Sequence, residues 1–140
     1  MDNLVVMMFS AVIIVGVMLL IAIGLAKQKP VKIDREYYQN RMRVIEDMIG
    51  DNNSANLMAV MDADKLLDSA LRAKGVRGNG LGDRLKGVGK RKVFHNLNAV
   101  WAAHKLRNRI AHEDDIKLSA EQTRKVISVF RGALKDLNVL

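Results

Sequence analysis

The chain has no cysteine, a single proline, and few aromatics: one tryptophan, two tyrosines and three phenylalanines. Lack of cysteine excludes a disulfide framework and thiolate metal sites, and it fits a cytoplasmic setting. Scarce aromatics leave little surface for base stacking, which argues against sequence-specific reading of single strands. No stretch alternates apolar and polar residues as a half-buried strand does, and no internal repeat is visible. The three histidines, His95, His104 and His112, do not form HExxH or another familiar zinc spacing, so no metal is expected. No cofactor motif is present either. Gly87-Val88-Gly89-Lys90 resembles the end of a Walker A loop, but Arg91 stands where Ser or Thr is needed. Gly78-Asn79-Gly80-Leu81-Gly82 departs from GxGxxG, and no strand leads into it.

What is present begins with the run from Leu4 to Ala26, which carries no charge and no proline. As a helix it is about 35 Å long, enough to cross a hydrocarbon core of about 30 Å with some tilt. It is apolar all round, unlike the striped helix of a small soluble core. A cleaved signal peptide would have a basic leader and a shorter apolar stretch, whereas this leader carries Asp2 and nothing basic. Residues 1–29 therefore read as an uncleaved anchor, ended or kinked at Pro30. Lys27, Lys29, Lys32 and Arg35 follow the run. Basic flanks stay cytoplasmic, so the expectation is a single-pass cell-membrane protein with its N-terminus outside and residues 30–140 in the cytoplasm.

Acidic residues are outnumbered, 15 against 23 Lys and Arg, for a net charge of +8. Most of that excess lies between Arg72 and Lys92, where Asp83 is the only acid. The same stretch holds most of the chain's glycines, and residues 75–92 read as a basic, glycine-rich loop with at most a short turn at Asp83–Lys86. Arg77, Arg84, Lys86, Lys90, Arg91 and Lys92 are its candidate contacts to a polyanion, either RNA or anionic lipid. A solvated surface loop is the plainer alternative.

Helical stripes flank this loop. Tyr38, Met42, Ile45 and Ile49 form one, ended by Gly50 and Asp51-Asn52-Asn53, with Ser54 a candidate N-cap for the next. Residues 55–74 follow, lined by Leu57, Val60, Met61, Leu67 and Leu71 and closed by Gly75. Residues 93–112 form a third helix and 119–138 a fourth, which starts at a capping box, Ser119-Ala120-Glu121-Gln122. The predicted fold is all-α: one transmembrane helix, then a bundle of about four helices.

The third of these helices carries the chemistry. On a helical wheel Ala99, Ala103, Leu106 and Ile110 gather on one side. Leu97, Val100, Trp101, His104, Arg107, Asn108, Ala111 and His112 occupy another. A helix with two apolar sides wants two partners, and a second subunit is the expected second partner, with Leu97, Val100 and Trp101 as the dimer face. His104, Asn108 and His112 stack along one line, with Arg107 beside them. Imidazoles move protons near neutral pH and a guanidinium holds phosphate in a fork, which is the equipment for attack of an RNA 2′-OH on its own phosphodiester. Structural roles are open to the same residues: Arg107 paired with Glu113 or Asp114, His112 on the helix dipole, His104 buried.

The segment His104-Lys105-Leu106-Arg107-Asn108-Arg109-Ile110-Ala111-His112-Glu113 resembles the signature of HEPN domains, an Arg followed after four to six residues by His, commonly with a polar residue directly after the Arg. The helix order of residues 33–140 is similar to these small all-helical bundles. The resemblance implies a homodimer in which Arg107, Asn108 and His112 are catalytic, with His104 and Glu113 supporting. Many members are metal-independent ribonucleases, and others are non-catalytic binding or dimerisation modules. The anchor is a departure, since most members are soluble. Two functions follow as expectations. One is a membrane-anchored HEPN-like homodimer that binds RNA and has the groups to cleave it. The other is a non-catalytic, membrane-tethered dimerisation or adaptor module whose basic loop contacts anionic lipid.

Overall fold

The computed structural model describes residues 2–25 and 32–140. Helix α1, Asp2–Leu25, is long and apolar enough to cross a membrane; its Asn3–Ile23 stretch is entirely unburied and α1 touches none of the other helices. The body comprises α2 (Arg35–Asp47), α3 (Asn53–Ala73), α4 (Leu81–Gly89), α5 (Leu97–His112) and α6 (Ala120–Asp136). No strand occurs among the described residues. The all-helical class and the apolar N-terminal helix agree with the sequence, but the described residues of the body form five helices rather than about four.

The additional helix is α4, in the stretch expected to be a loop. Leu81, Leu85 and Val88 recur at i, i+4 and i+7, and all three are buried. Burying that stripe outweighs the weak helix propensity of the intervening glycines, whose cost is on the order of 1 kcal/mol each.

Helix α3 is central and packs against α2, α4, α5 and α6. Its N-cap is Asn52, whose side chain accepts from Ala55 N, and not Ser54. Asn52 precedes the first helical residue, Asn53, in extended backbone, which is the position where a side-chain oxygen can reach the free N–H groups. The C-terminus closes with Gly75 at φ +79° and two bonds, Gly75 N to Arg72 O and Val76 N to Leu71 O. This reversal requires a left-handed residue, which glycine supplies without strain. The Ser119–Gln122 capping box of α6 forms as the sequence indicates. The α2 stripe holds at Tyr38, Met42 and Ile45, which are buried, while Ile49 lies past the helix end at Asp47 and is half-buried.

Two connections are fastened to α3 by one buried amide. Asn56 accepts from Gly50 N and donates to Gly50 O and Leu118 O. It thereby ties the α2–α3 turn and the α5–α6 connection to the same helix. Asn53 adds bonds to Ile116 O and Leu118 N. Asn56→Ala leaves three backbone groups without partners and is expected to cost about 2 kcal/mol in urea unfolding. A loss below about 0.5 kcal/mol would mean that other groups satisfy those atoms.

These ties fix the directions of the helices. Both connections lie at one end of the bundle. Tyr38 Oη meets Ser69 Oγ at 3.2 Å, and His95 bonds Asp136, so the start of α2, the end of α3, the start of α5 and the end of α6 share the other end.

Candidate functional site

Helix α5 places three of the predicted site residues together, and α3 supplies a fourth that the sequence reading missed. Asp64 is buried, and its Oδ1 lies 2.7 Å from His104 Nδ1. Its Oδ2 is 3.5 Å from Arg107 Nε. Asn108 bridges Arg107 and His104: Arg107 Nη1 donates to Asn108 Oδ1 at 3.1 Å, and Asn108 Nδ2 stands 3.3 Å from His104 Nε2. The direction of every bond follows. With its oxygen taken by Arg107, the Asn108 amide donates to His104 Nε2, so the proton sits on Nδ1 and points to Asp64. Arg107 Nε is buried with no hydrogen-bond partner of its own, facing a carboxylate at ion-pair distance.

Packing locks this arrangement. Trp101 stands edge-on to the His104 ring, with centroids 6.0 Å apart. On the other side α4 approaches so closely that a Cβ on Gly82 would lie 3.3 Å from His104 Nε2. A side chain at Gly82 would press on the imidazole, which would have to give by a few tenths of an ångström.

His112 is elsewhere. It is the last residue of α5, exposed, and it makes no side-chain hydrogen bond among the described residues. At about 1.5 Å per residue it lies roughly 12 Å along the axis from His104, beyond the network. Glu113 also stays apart. It pairs with Arg109, accepting at 2.9 Å, and not with Arg107. The hydrogen bond from Arg109 lowers the Glu113 pKa, desolvation opposes this, and the charge of Arg109 adds to the lowering. A carboxyl depressed in the folded state contributes stability above its unfolded pKa of about 4.3, and that contribution is lost as pH falls through the folded value. The Arg109–Glu113 pair at the end of α5 is thus expected to loosen in acid, below the ordinary carboxyl range, and an NMR titration of Glu113 checks it.

Two groups of predicted residues are placed differently from the sequence reading. Val100 is only 3% exposed and belongs to the core. Leu97 is half-buried against the core, close to Gly89 of α4, and Trp101 covers His104. The N-terminal half of that side of α5, at Leu97, Trp101 and His104, therefore lies against α4 of the same chain, while Ala111 and His112 at its C-terminal end are exposed. The core side is set by Val100 and Ala103, with Ala99, Leu106 and Ile110 half-buried. Within the basic segment, Arg84 is not available to a polyanion. It is 8% exposed, donates to Asp68 Oδ1 at 2.6 Å and to Val76 O, and holds α4 onto α3. Arg77, Lys86, Lys90, Arg91 and Lys92 remain exposed, Lys86 near Asp83.

Asp64 had a legible signal. It interrupts the apolar stripe of α3 between Val60 and Leu67, and a carboxylate at a core position demands a buried donor. No cluster of metal-ligating side chains occurs among the described residues. No family model matches the chain, and neither a curated protein nor a solved structure does.

Proposed function

We propose that the chain is a membrane-anchored, HEPN-like RNA-binding module that cleaves RNA without a metal. The observation that carries this reading is the setting of Arg107. Asp64 and Asn108 hold its guanidinium from one side, while the side chain keeps 26% of its surface open, five residues before the exposed His112. A guanidinium so oriented has N–H donors left for a phosphate, and His112 is free to exchange a proton with a 2′-OH or a leaving 5′-oxygen. In this reading Asn108 and His104 orient Arg107, and Asp64 anchors all three. A second copy would meet the edge of α5 carrying Trp101, Asn108 and His112, since Leu97 and Val100 are engaged within the chain. The apolar α1 supplies the anchor, with the body on the cytoplasmic side by the charges that follow it.

One observation favours the non-catalytic alternative, a tethered dimerisation or adaptor module. The Asp64–His104–Asn108–Arg107 chain of bonds is closed within the protein. The two readings separate on incubation of the full chain with single-stranded RNA in excess EDTA: cleavage by wild type and not by His112→Ala supports the ribonuclease, and no cleavage by either supports the adaptor.

A further inference from the structure

Charge is segregated along the axis of the bundle. The end that holds the two connections carries Asp47, Asp51, Asp114 and Asp115 against Lys117, with Glu113 paired to Arg109. The opposite end carries six cations, Arg72, Lys74, Arg77, Lys90, Arg91 and Lys92, with the acids Asp34 and Glu36 at the start of α2 nearby. All six are exposed, and none has a carboxylate within ion-pair distance among the described residues. Helix α4 produces this concentration by running back towards the end of α3. A groove of about 380 Å³ results, where Gly75, Val76 and Arg77 face Gly87, Val88 and Arg91. Two guanidinium-bearing residues thus flank a recess lined partly by backbone, the size and chemistry for a phosphate headgroup.

The covalent path adds an independent constraint. The start of α2 lies at this same basic end, through the Tyr38–Ser69 contact near the end of α3. The segment between Leu25 and Arg35 can extend no further than about 35 Å. The apolar helix is therefore joined to the body at its basic end.

We infer that the basic end docks on the phosphate headgroups of an anionic bilayer, so that the body stands on the membrane with the Arg77–Arg91 groove against lipid and the His112 end of α5 turned away. The inference rests on α1 spanning a bilayer and not on RNA cleavage. Polybasic surfaces next to a membrane segment gain from anionic lipid by charge, and the gain is screened by salt. RNA is the competing polyanion, but the tether keeps these cations beside the bilayer at a high effective concentration of headgroups.

Because the chain has no cysteine, one introduced thiol reports one place. The full chain is labelled with a fluorophore at Asn79→Cys, beside the groove, or at Asp114→Cys, at the acidic end. Each is reconstituted in nanodiscs of neutral lipid or of neutral lipid with about one-third phosphatidylserine, with a headgroup-borne quencher. Quenching at Asn79→Cys is expected to rise with phosphatidylserine and to fall in high salt, while Asp114→Cys stays unquenched. Neutralising Arg77, Lys90, Arg91 and Lys92 to Gln is expected to lower the docked-to-undocked ratio at least about a hundredfold, given roughly fivefold per cation near an anionic surface. The variants change exposed side chains only, and helical circular dichroism verifies their fold. Equal quenching at both positions, or no dependence on lipid charge, overturns the inference. A label at Asn79→Cys that responds to single-stranded RNA on neutral nanodiscs, and not to phosphatidylserine, overturns it in favour of RNA.

Discussion

Asp64→Ala is expected to destabilise the body by about 3–4 kcal/mol, because it removes one partner of a buried charge pair and leaves the others in place. The carboxylate side chain is 6% exposed and, among the described residues, is the only group bonded to His104 Nδ1. Without it, that N–H and Arg107 Nε both face a cavity with no acceptor. The estimate stands at the lower part of the usual range because the Arg107 side chain is 26% exposed and can turn its charge to water. Asp64→Asn keeps an acceptor for His104 and is expected to cost about half as much. Urea unfolding of the two variants checks both values. A double-mutant cycle between Asp64→Ala and Arg107→Ala should show coupling of about 1–2 kcal/mol. A loss under about 1 kcal/mol for Asp64→Ala would mean that the network is peripheral to the fold.

The second large effect divides the two histidines of α5. His112→Ala is expected to lower RNA cleavage by about 10²–10⁴-fold, the usual contribution of a positioned acid or base, with stability unchanged. His104→Ala is expected to do the reverse in kind. It takes the hydrogen-bond partner from Asp64 Oδ1 and from Asn108 Nδ2, so its principal effect is lost stability of about 2 kcal/mol or more. Activity would fall with it only so far as Arg107 loses its orientation. Arg107→Lys keeps the charge but not the fork, and is expected to lose nearly as much cleavage as Arg107→Ala. Initial rates at equal folded fraction, with unfolding curves for each variant, give the comparison. Equal activity of His112→Ala and wild type would remove His112 from the reaction.

Much of this architecture is legible in the chain itself, for physical reasons that differ by element. Helices α2, α3 and α6 announce themselves through stripes at helical spacing, and α6 also through its capping box. Helix α4 is harder to see because its stripe, Leu81, Leu85 and Val88, is set among glycines that read as punctuation. Tertiary burial decides its conformation, and burial against α3 and α5 cannot be read from nine residues. That one omission had a consequence at α5, whose second apolar side then lacked an intrachain partner. A run of like charges likewise concealed Arg84, the one member that turns inward to Asp68. At the site, His104, Arg107 and Asn108 are neighbours by helical spacing alone and were visible together. Asp64 lies 40 residues before His104, and periodicity carries no information about such pairings, although a carboxylate inside an apolar stripe marks a position that needs a partner.

The most direct measurement is end-group analysis of RNA after incubation with the full chain in nanodiscs under excess EDTA, for wild type and His112→Ala. Attack by the neighbouring 2′-OH leaves 2′,3′-cyclic phosphate ends, and these are expected from wild type alone. Intact RNA in both reactions, from proteins with equal unfolding curves, would contradict the ribonuclease reading and leave Arg107, Asn108 and His104 as the bonded partners of Asp64.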